Sequence, residues 1–481
     1  MIARLRRRSG PAVPASPAAA RPTALERSAQ WIDSRTGLAG VVRTGLRKVF
    51  PDHWSFLLGE VALFCFVILV ATGTFLTFFY VPSAAPVTYD GPYLPLQGAE
   101  VSAAFDSVMQ LSFEVRAGLL MRQIHHWTAL LFLAVVILHL CRVFFTGAFR
   151  RPRELNWIIG FTLLVLAIAE GFTGYSLPDD LLSGTGARIA YSAALSIPFA
   201  GPWVASLFFG GEFPTAALIS RFFVIHVLFL PGLFIGGITA HLVLLVLHKH
   251  TQWPGGPARE TNVVGRHFWP VQVFLSTGLF FLTAAWVSLL GGLFQINPIW
   301  AYGPFDAAAV ASPAQPDWYV GWLDGALRIW PPFEPTIFGV TLPASFIPGI
   351  VVPGILFTIV ALWPFIEARV TGDDGEHHLL DRIWEHPLRT AAGATILAIF
   401  GMLTLAGGND VLAYYFSTEI ETLTSVFRVL TLVLPVVVGV TTYRICQARR
   451  RREIEPPTAE PPRGGVALRR SASGGFEEVE P

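Results

Sequence analysis

Five of the twelve histidines in this 481-residue chain, His125, His126, His139, His226 and His241, sit within long apolar stretches. Two intervals nearly repeat: His125 and His139 are fourteen residues apart, His226 and His241 fifteen. On α-helices these separations return to within roughly 40° and 60° of one face and span about 21 and 22 Å. With the two helices side by side, His125 meets His226 at one depth and His139 meets His241 at another. A lone intramembrane histidine is as readily a packed core residue or part of a proton path. Two facing imidazoles at each of two levels are the donor set of a haem held from both sides, and bundle cores are where such cofactors sit. The spacing predicts two stacked haems, with His125 and His226 ligating one iron and His139 and His241 the other. His126, about 100° round from its neighbour, reads as structural or surface.

The flanking residues repeat the interval. Gly59 and Gly73 are fourteen apart, and so are Gly160 and Gly174. Single pairs of this kind are ordinary small-residue helix packing; four glycines in step with four histidines point to room for a flat macrocycle near the backbone. Haem propionates are anionic and call for cations. Arg122 lies one turn before His125, Arg221 five residues before His226, and Arg142 three after His139. Trp157 opens the next apolar stretch, where its indole N–H could reach a propionate or anchor the membrane interface.

The elements that must position these residues are membrane helices. The chain is 53% hydrophobic and 14% charged, against about 25% charged in ordinary soluble domains. Phe268–Ile296 carries no charged residue, and about 20 apolar residues of helix cross a bilayer. Eight spans are expected, over 56–80, 122–146, 157–177, 222–247, 268–294, 343–366, 391–408 and 424–445. Of the 34 Lys and Arg, 28 fall in the two tails and alternate loops and six on the other side. The positive-inside rule therefore puts both termini in the cytoplasm. The expected class is an all-α polytopic membrane protein with a dihaem four-helix bundle formed by the first four of eight transmembrane helices. Its parts are a cytoplasmic tail over 1–50, the bundle over 51–260 with outer loop 178–220, a C-terminal four-helix region over 261–446 with outer loop 295–342, and a flexible cytoplasmic tail over 447–481. Arg449–Arg452 suit contact with anionic lipid. A net charge of +1 argues against nucleic acid as a partner, and three scattered cysteines (Cys65, Cys141, Cys446) exclude a C-x-x-C site within the chain.

These residues resemble cytochrome b, the dihaem quinol-oxidising subunit of cytochrome bc complexes. The resemblance covers about residues 45–445. It rests on Arg-x-x-His at 122–125, the four glycines, Gly-Tyr-Ser-Leu-Pro at 174–178, Arg-Phe-Phe at 221–223 and Pro-Asp-Trp-Tyr at 316–319. His-Trp-Ser-Phe at 53–56, Leu-Pro-Asp-Asp-Leu-Leu-Ser-Gly at 177–184 and Lys-His-Thr-Gln at 249–252 are similar to the actinobacterial, menaquinol-using type. The resemblance implies a quinol–cytochrome c reductase of the bacterial cell membrane that contributes to the proton gradient. One electron would pass to a Rieske-type iron–sulfur subunit and on to a cytochrome c subunit and a terminal oxidase. The other would cross two b haems to an inner quinone site near His250, in a homodimeric complex. Two departures from the mitochondrial pattern stand out: the histidine interval of fifteen, with an extra residue between His226 and Pro231, and Asp317 where that pattern has Glu.

The resemblance also implies a quinol site of Asp317, Tyr319 and Tyr175. Quinol oxidation releases protons, so the site needs an acceptor, and Asp317 stands between Pro316 and the aromatic pair Trp318 and Tyr319. Without the resemblance it would be a turn aspartate. Three other readings fit the sequence less well. A haem–copper oxidase needs six histidine ligands, more than five intramembrane histidines supply. A proton-coupled transporter using Glu170, His125 and His139 leaves the paired depths unexplained. A simple dihaem membrane anchor leaves the long outer loops without a purpose.

Overall fold

The computed structural model of the chain describes residues 23–309 and 315–454, with a strand pair at 467–470 and 476–479. Arg4, Arg6, Arg7 and Arg8 of the basic N-terminal run lie outside the described residues, as does most of the C-terminal segment beyond Ile454. Eight helices are long and apolar enough to cross a membrane: Trp54–Thr77, Gly118–Phe145, Glu154–Tyr175, Ala217–His248, Phe268–Leu293, Ile347–Thr371, Pro387–Gly407 and Ile420–Glu453. β-Structure among the described residues is limited to four strand pairs of two to four residues each. A spanning helix satisfies its own backbone, which lipid cannot do. Many large apolar side chains of the spans, among them Phe281, Leu282 and Leu432, point outward and are exposed. That is the surface a bilayer covers.

Several boundaries differ from the sequence expectation. The N-terminal segment is not all tail: Ala24–Thr36 is a helix with a Thr23/Glu26 capping box, and Leu38–Leu46 is another. The eighth helix runs on through Arg449–Arg452 to Ile454, so the tail expected from 447 begins as helix. The segment 178–220 folds into Leu181–Leu195 and Gly201–Phe209, and 295–342 contains the helix Trp318–Ile329. A third long connection, between the first two spans, went unremarked in the sequence. It forms a strand pair, Pro86–Thr88 with Glu100–Ser102, and the helix Ala103–Phe113. That helix buries Phe105, Val108, Met109 and Ser112 at three- and four-residue steps against Tyr89 and Ile299.

Packing also redraws the expected division at 261. The fifth span packs on the first and second. Val287 is buried between Ile68 and Ile124, and Glu60 of the first span accepts from Gln272 Nε2 at 2.9 Å and Ser276 Oγ at 2.7 Å. The seventh and eighth spans pack on each other and on Trp318–Ile329, while the sixth packs on the third. At one end Arg389 is gripped by Glu367 and by Asp381 at 2.7 Å, with Arg150 on the other Asp381 oxygen at 2.8 Å. This network ties the end of the second span to the sixth and seventh. At the opposite end Arg328 joins Asp324, Asn409 and Asp410 at 2.7, 3.0 and 3.1 Å, fixing the helix Trp318–Ile329 to the short helix Asn409–Phe416 that follows the seventh span.

Candidate functional site

The four histidines expected to work in pairs do meet in pairs. The rings of His125 and His226 lie 6.3 Å apart between centroids at 72°, and those of His139 and His241 6.4 Å apart at 74°. Their tautomers at the first level follow from the neighbours. Thr72 Oγ1 donates to the Ile68 carbonyl at 2.7 Å, so it accepts from His125 Nδ1 at 2.9 Å. His226 Nδ1 donates to the Glu170 carbonyl at 3.0 Å. Both rings therefore carry their proton on Nδ1 and keep the Nε2 lone pair free. At the second level the Nδ1 atoms of His139 and His241 are buried without a hydrogen-bond partner.

The fifteen-residue interval is reconciled with one face by local geometry. Ile225–Phe229, around His226, is a π turn, followed by Pro231 within the same continuous span. A π turn absorbs one extra residue, which is the one that separates fifteen from fourteen.

Each glycine faces one histidine. A Cβ on Gly59 would stand 3.3 Å from His139 Cε1, one on Gly73 3.2 Å from His125 Cε1, and one on Gly160 3.3 Å from His241 Cε1. On Gly174 it would overlap His226 Cε1. The nearest protein atoms at each of these positions are those of the imidazole. With no side chain in the way, three of the rings reach the helix backbone one turn earlier. The Glu170 carbonyl lies four residues before Gly174, and the carbonyls of Leu69 and Asn156, against His125 and His241, lie four before Gly73 and Gly160. A fourteen-residue step places two such notches on one helix face.

The cations divide. Arg122 donates one Nη to the Asn297 carbonyl, while its other, Nη1, is buried and unpaired. Arg142 lies over the Phe56 ring at 4.2 Å, with Nε and Nη2 buried and unpaired. A buried guanidinium with free N–H groups is costly unless an anion answers it. Arg221 is instead exposed and donates to the Ser206 and Leu207 carbonyls at 2.7 and 2.6 Å, closing the helix Gly201–Phe209. Trp157 also differs from expectation. Its indole N–H goes to the carbonyls of Val360 and Ala361 at 2.9 and 3.2 Å, pinning the third span to the sixth. His250 is buried beside Phe50, their ring centroids 4.6 Å apart. Burial, reinforced by Lys48, Arg153 and Arg142, pushes its imidazole down to about 3, so it is neutral. Arg153, missed in the sequence, donates to the carbonyls of His248 and Lys249 at 2.8 and 3.1 Å and so builds this corner.

Near the His125/His226 level a second constellation forms. Both Asp317 oxygens lie 3.1 Å from His126 Nε2, and the Tyr319 hydroxyl donates to Asp317 Oδ2 at 3.2 Å. His126 is therefore not a bland surface residue: its turn away from His125 aims it at Asp317. Tyr319 is buried with its ring against Gly171 of the third span. Burial, then the Asp317 carboxylate and Tyr175, hold its phenol well above the usual value, so it stays a donor. The Tyr175 hydroxyl lies against Gly186 on the helix Leu181–Leu195. The second span holds this loop in place. Gln123 bonds both backbone groups of Ile296 at 2.7 and 3.0 Å, and Trp127 donates to the Phe294 carbonyl at 2.8 Å.

Among the described residues no group of three or more His, Cys, Asp or Glu could hold a bare metal ion. Histidines that come in twos suit a metal whose remaining ligands come from a macrocycle.

Comparison with known proteins gives one family. A family model described as cytochrome b (N-terminal)/b6/petB matches residues 130–304. The cytochrome b subunit of the cytochrome bc1 complex of Streptomyces coelicolor is 48% identical over 429 residues, 89% of this chain and 78% of that one. The subunit of the same name from Mycobacterium tuberculosis is 47% identical over 430 residues, with the same coverage. A solved chain from a hyperthermophilic respiratory Complex III shares the fold at a TM-score of 0.62 and 20% identity, covering 86% of this chain and 99% of that one. At such identity over most of both sequences, in a chain whose described residues include eight helices able to span a membrane and two facing histidine pairs, this protein belongs to the cytochrome b subunits of cytochrome bc1 complexes.

Proposed function

We propose that this chain oxidises quinol, menaquinol by its resemblance to actinobacterial relatives, at a site made by Asp317, Tyr319 and Tyr175. Of the two electrons released, one passes to an iron–sulfur partner and on to a cytochrome c. The two haems, where bound, would supply the one-electron path for the other toward a quinone near His250. Membership of the family implies b-type haem. His125 and His226 hold the outer haem, and His139 and His241 the inner. Arg122 and Arg142 present their unpaired nitrogens to propionates, and both termini lie in the cytoplasm. The first four spans form the dihaem unit, and the complex works as a dimer in the cell membrane with its terminal oxidase downstream.

The observation that carries the reading is the ring separation. Two imidazoles bonded through nitrogen to one metal at about 2.0 Å each have ring centres roughly 6.3 Å apart. The two pairs stand at 6.3 and 6.4 Å. The bound haems supply one-electron transfer; everything else is the work of this chain's own groups. Asp317 accepts a hydroxyl proton of the quinol, His126 holds that carboxylate in place, and Tyr319 keeps a donor beside it. The second reading, a dihaem anchor without quinol chemistry, leaves this triad unexplained.

A dithionite-reduced spectrum of the purified complex tests the haem count. Two low-spin b-type components of distinct potential are expected from this chain; one component, or a high-spin one, overturns the reading.

The glycine notches make a separate prediction. Gly174→Ala is expected to lower outer-haem occupancy more than Gly73→Ala, because its Cβ overlaps His226 whereas at Gly73 the ring need give only a few tenths of an ångström. Gly73→Leu and Gly160→Leu should each strip the haem of their own level and leave the helix inserted, since Leu is a good helix former. Haem per complex, measured in membranes with normal subunit content, checks this; full occupancy in all of them removes the notch argument.

A further inference from the structure

Glu170 is a carboxyl group in the third span, five residues before its end at Tyr175, with Val165–Ala169 on one side and Gly171 and Phe172 on the other. An ionisable group at such a position is costly and is retained for a purpose. Nothing in the proposed quinol chemistry uses it. Its Oε1 lies 3.3 Å from His226 Nδ1, the same atom that donates to the Glu170 carbonyl, and its Oε2 is buried without a partner. His125, His139 and His241 have no carboxylate partner among the described residues; at His125 the side-chain partner is the Thr72 hydroxyl.

The notch geometry shows that the position is not arbitrary. At Gly73, Gly160 and Gly174 the residue four before the glycine supplies the carbonyl beside the ring. Those residues are Leu69, Asn156 and Glu170. On the third span, which serves both levels, the inner position is a neutral amide and the outer one an acid. Asn156 Oδ1, like Glu170 Oε2, is buried without a partner. At these two positions the levels differ in an acid against an amide.

We propose that Glu170 is a positioning residue which, acting through His226, sets the reduction potential of the outer haem below that of the inner one. The inference rests on the ligand pairing given above. A carboxylate oxygen 3.3 Å from Nδ1 of a ligating imidazole would make that ligand more basic. Its negative charge, in a low dielectric, also favours the oxidised iron over the reduced. Asn156 offers His241 no such charge. The resulting difference drives the electron from the outer level to the inner, the direction that separates charge across the membrane.

The test is a redox titration of the haem bands in membranes carrying the whole complex. Glu170→Gln keeps the side-chain size and removes the charge. The outer haem is expected to shift toward its reduced form by roughly tenfold, the lower end of outer-shell effects on metal-bound histidine. For one electron that is about 59 mV upward. The inner haem should not move. The reciprocal Asn156→Asp should shift the inner haem downward by a similar factor and leave the outer one alone. An outer potential within twofold of the unmodified protein in Glu170→Gln overturns the proposal, and so does an equal shift of both haems. If Glu170→Gln assembles without its outer haem, Asn156→Asp decides: an unmoved inner haem overturns the idea. Failure of the pairing itself is seen separately, in whether His125→Leu and His226→Leu remove the same band.

Discussion

Replacing His125 with Leu is expected to abolish one of the two haem components outright, and His226→Leu the same one, while His139→Leu and His241→Leu abolish the other. The effect is all-or-none because an iron held by two imidazoles loses half its protein ligands with either ring, and Leu offers no donor. The expectation follows from which rings face each other at 6.3 and 6.4 Å, and redox titration of each variant's spectrum checks it. If His125→Leu and His241→Leu removed the same component, the pairing by depth would be wrong. The glycines give an internal control. Gly73 stands against His125 and Gly174 against His226, so a bulky residue at either should act on the component that His125→Leu removes.

Asp317→Asn should leave both haem spectra unchanged and slow quinol oxidation by about 10²-fold, the scale of a lost general base. The amide keeps the shape of the carboxyl and can still meet His126 and Tyr319, so the loss reports proton acceptance rather than folding. His126→Gln, which can retain a donor toward Asp317, is expected to cost less. Steady-state quinol oxidation in membranes with matched haem content separates these outcomes. An Asp317→Asn complex that turns over at the unmodified rate between pH 6 and 8 would take Asp317 out of the mechanism. A His126→Gln complex slower than Asp317→Asn would make His126, not Asp317, the group that matters.

Both expectations began in the sequence, but unequally. The haem-ligand candidates were legible because a helix converts interval into depth and azimuth: fourteen residues fix a rise and a face before any packing is known. The eight spans were legible for the same kind of reason, since lipid permits few alternatives to a long apolar helix. The His126–Asp317 contact was not. It joins residues 191 apart, and the only local signal was that His126 turns away from its neighbour, which equally describes a surface residue. Trp157 and Arg221 failed for a related reason. Being at the right level on a helix says nothing about which carbonyls another element brings within reach, and in both cases those carbonyls took the N–H groups.

What the sequence determined by itself is thus periodic and one-dimensional: how many helices, which residues share a face, and which intervals repeat across neighbouring helices. The tertiary structure decided what depends on approach. It turned a fifteen-residue interval into a usable one through the π turn at Ile225–Phe229, gave the glycines to the imidazole rings, and moved the fifth span onto the first two. It also set Glu170 against His226 but an amide at the equivalent inner position. Periodicity is a property of one helix and survives in the order of residues; close approach is a property of two, and is fixed only when their surfaces are packed together.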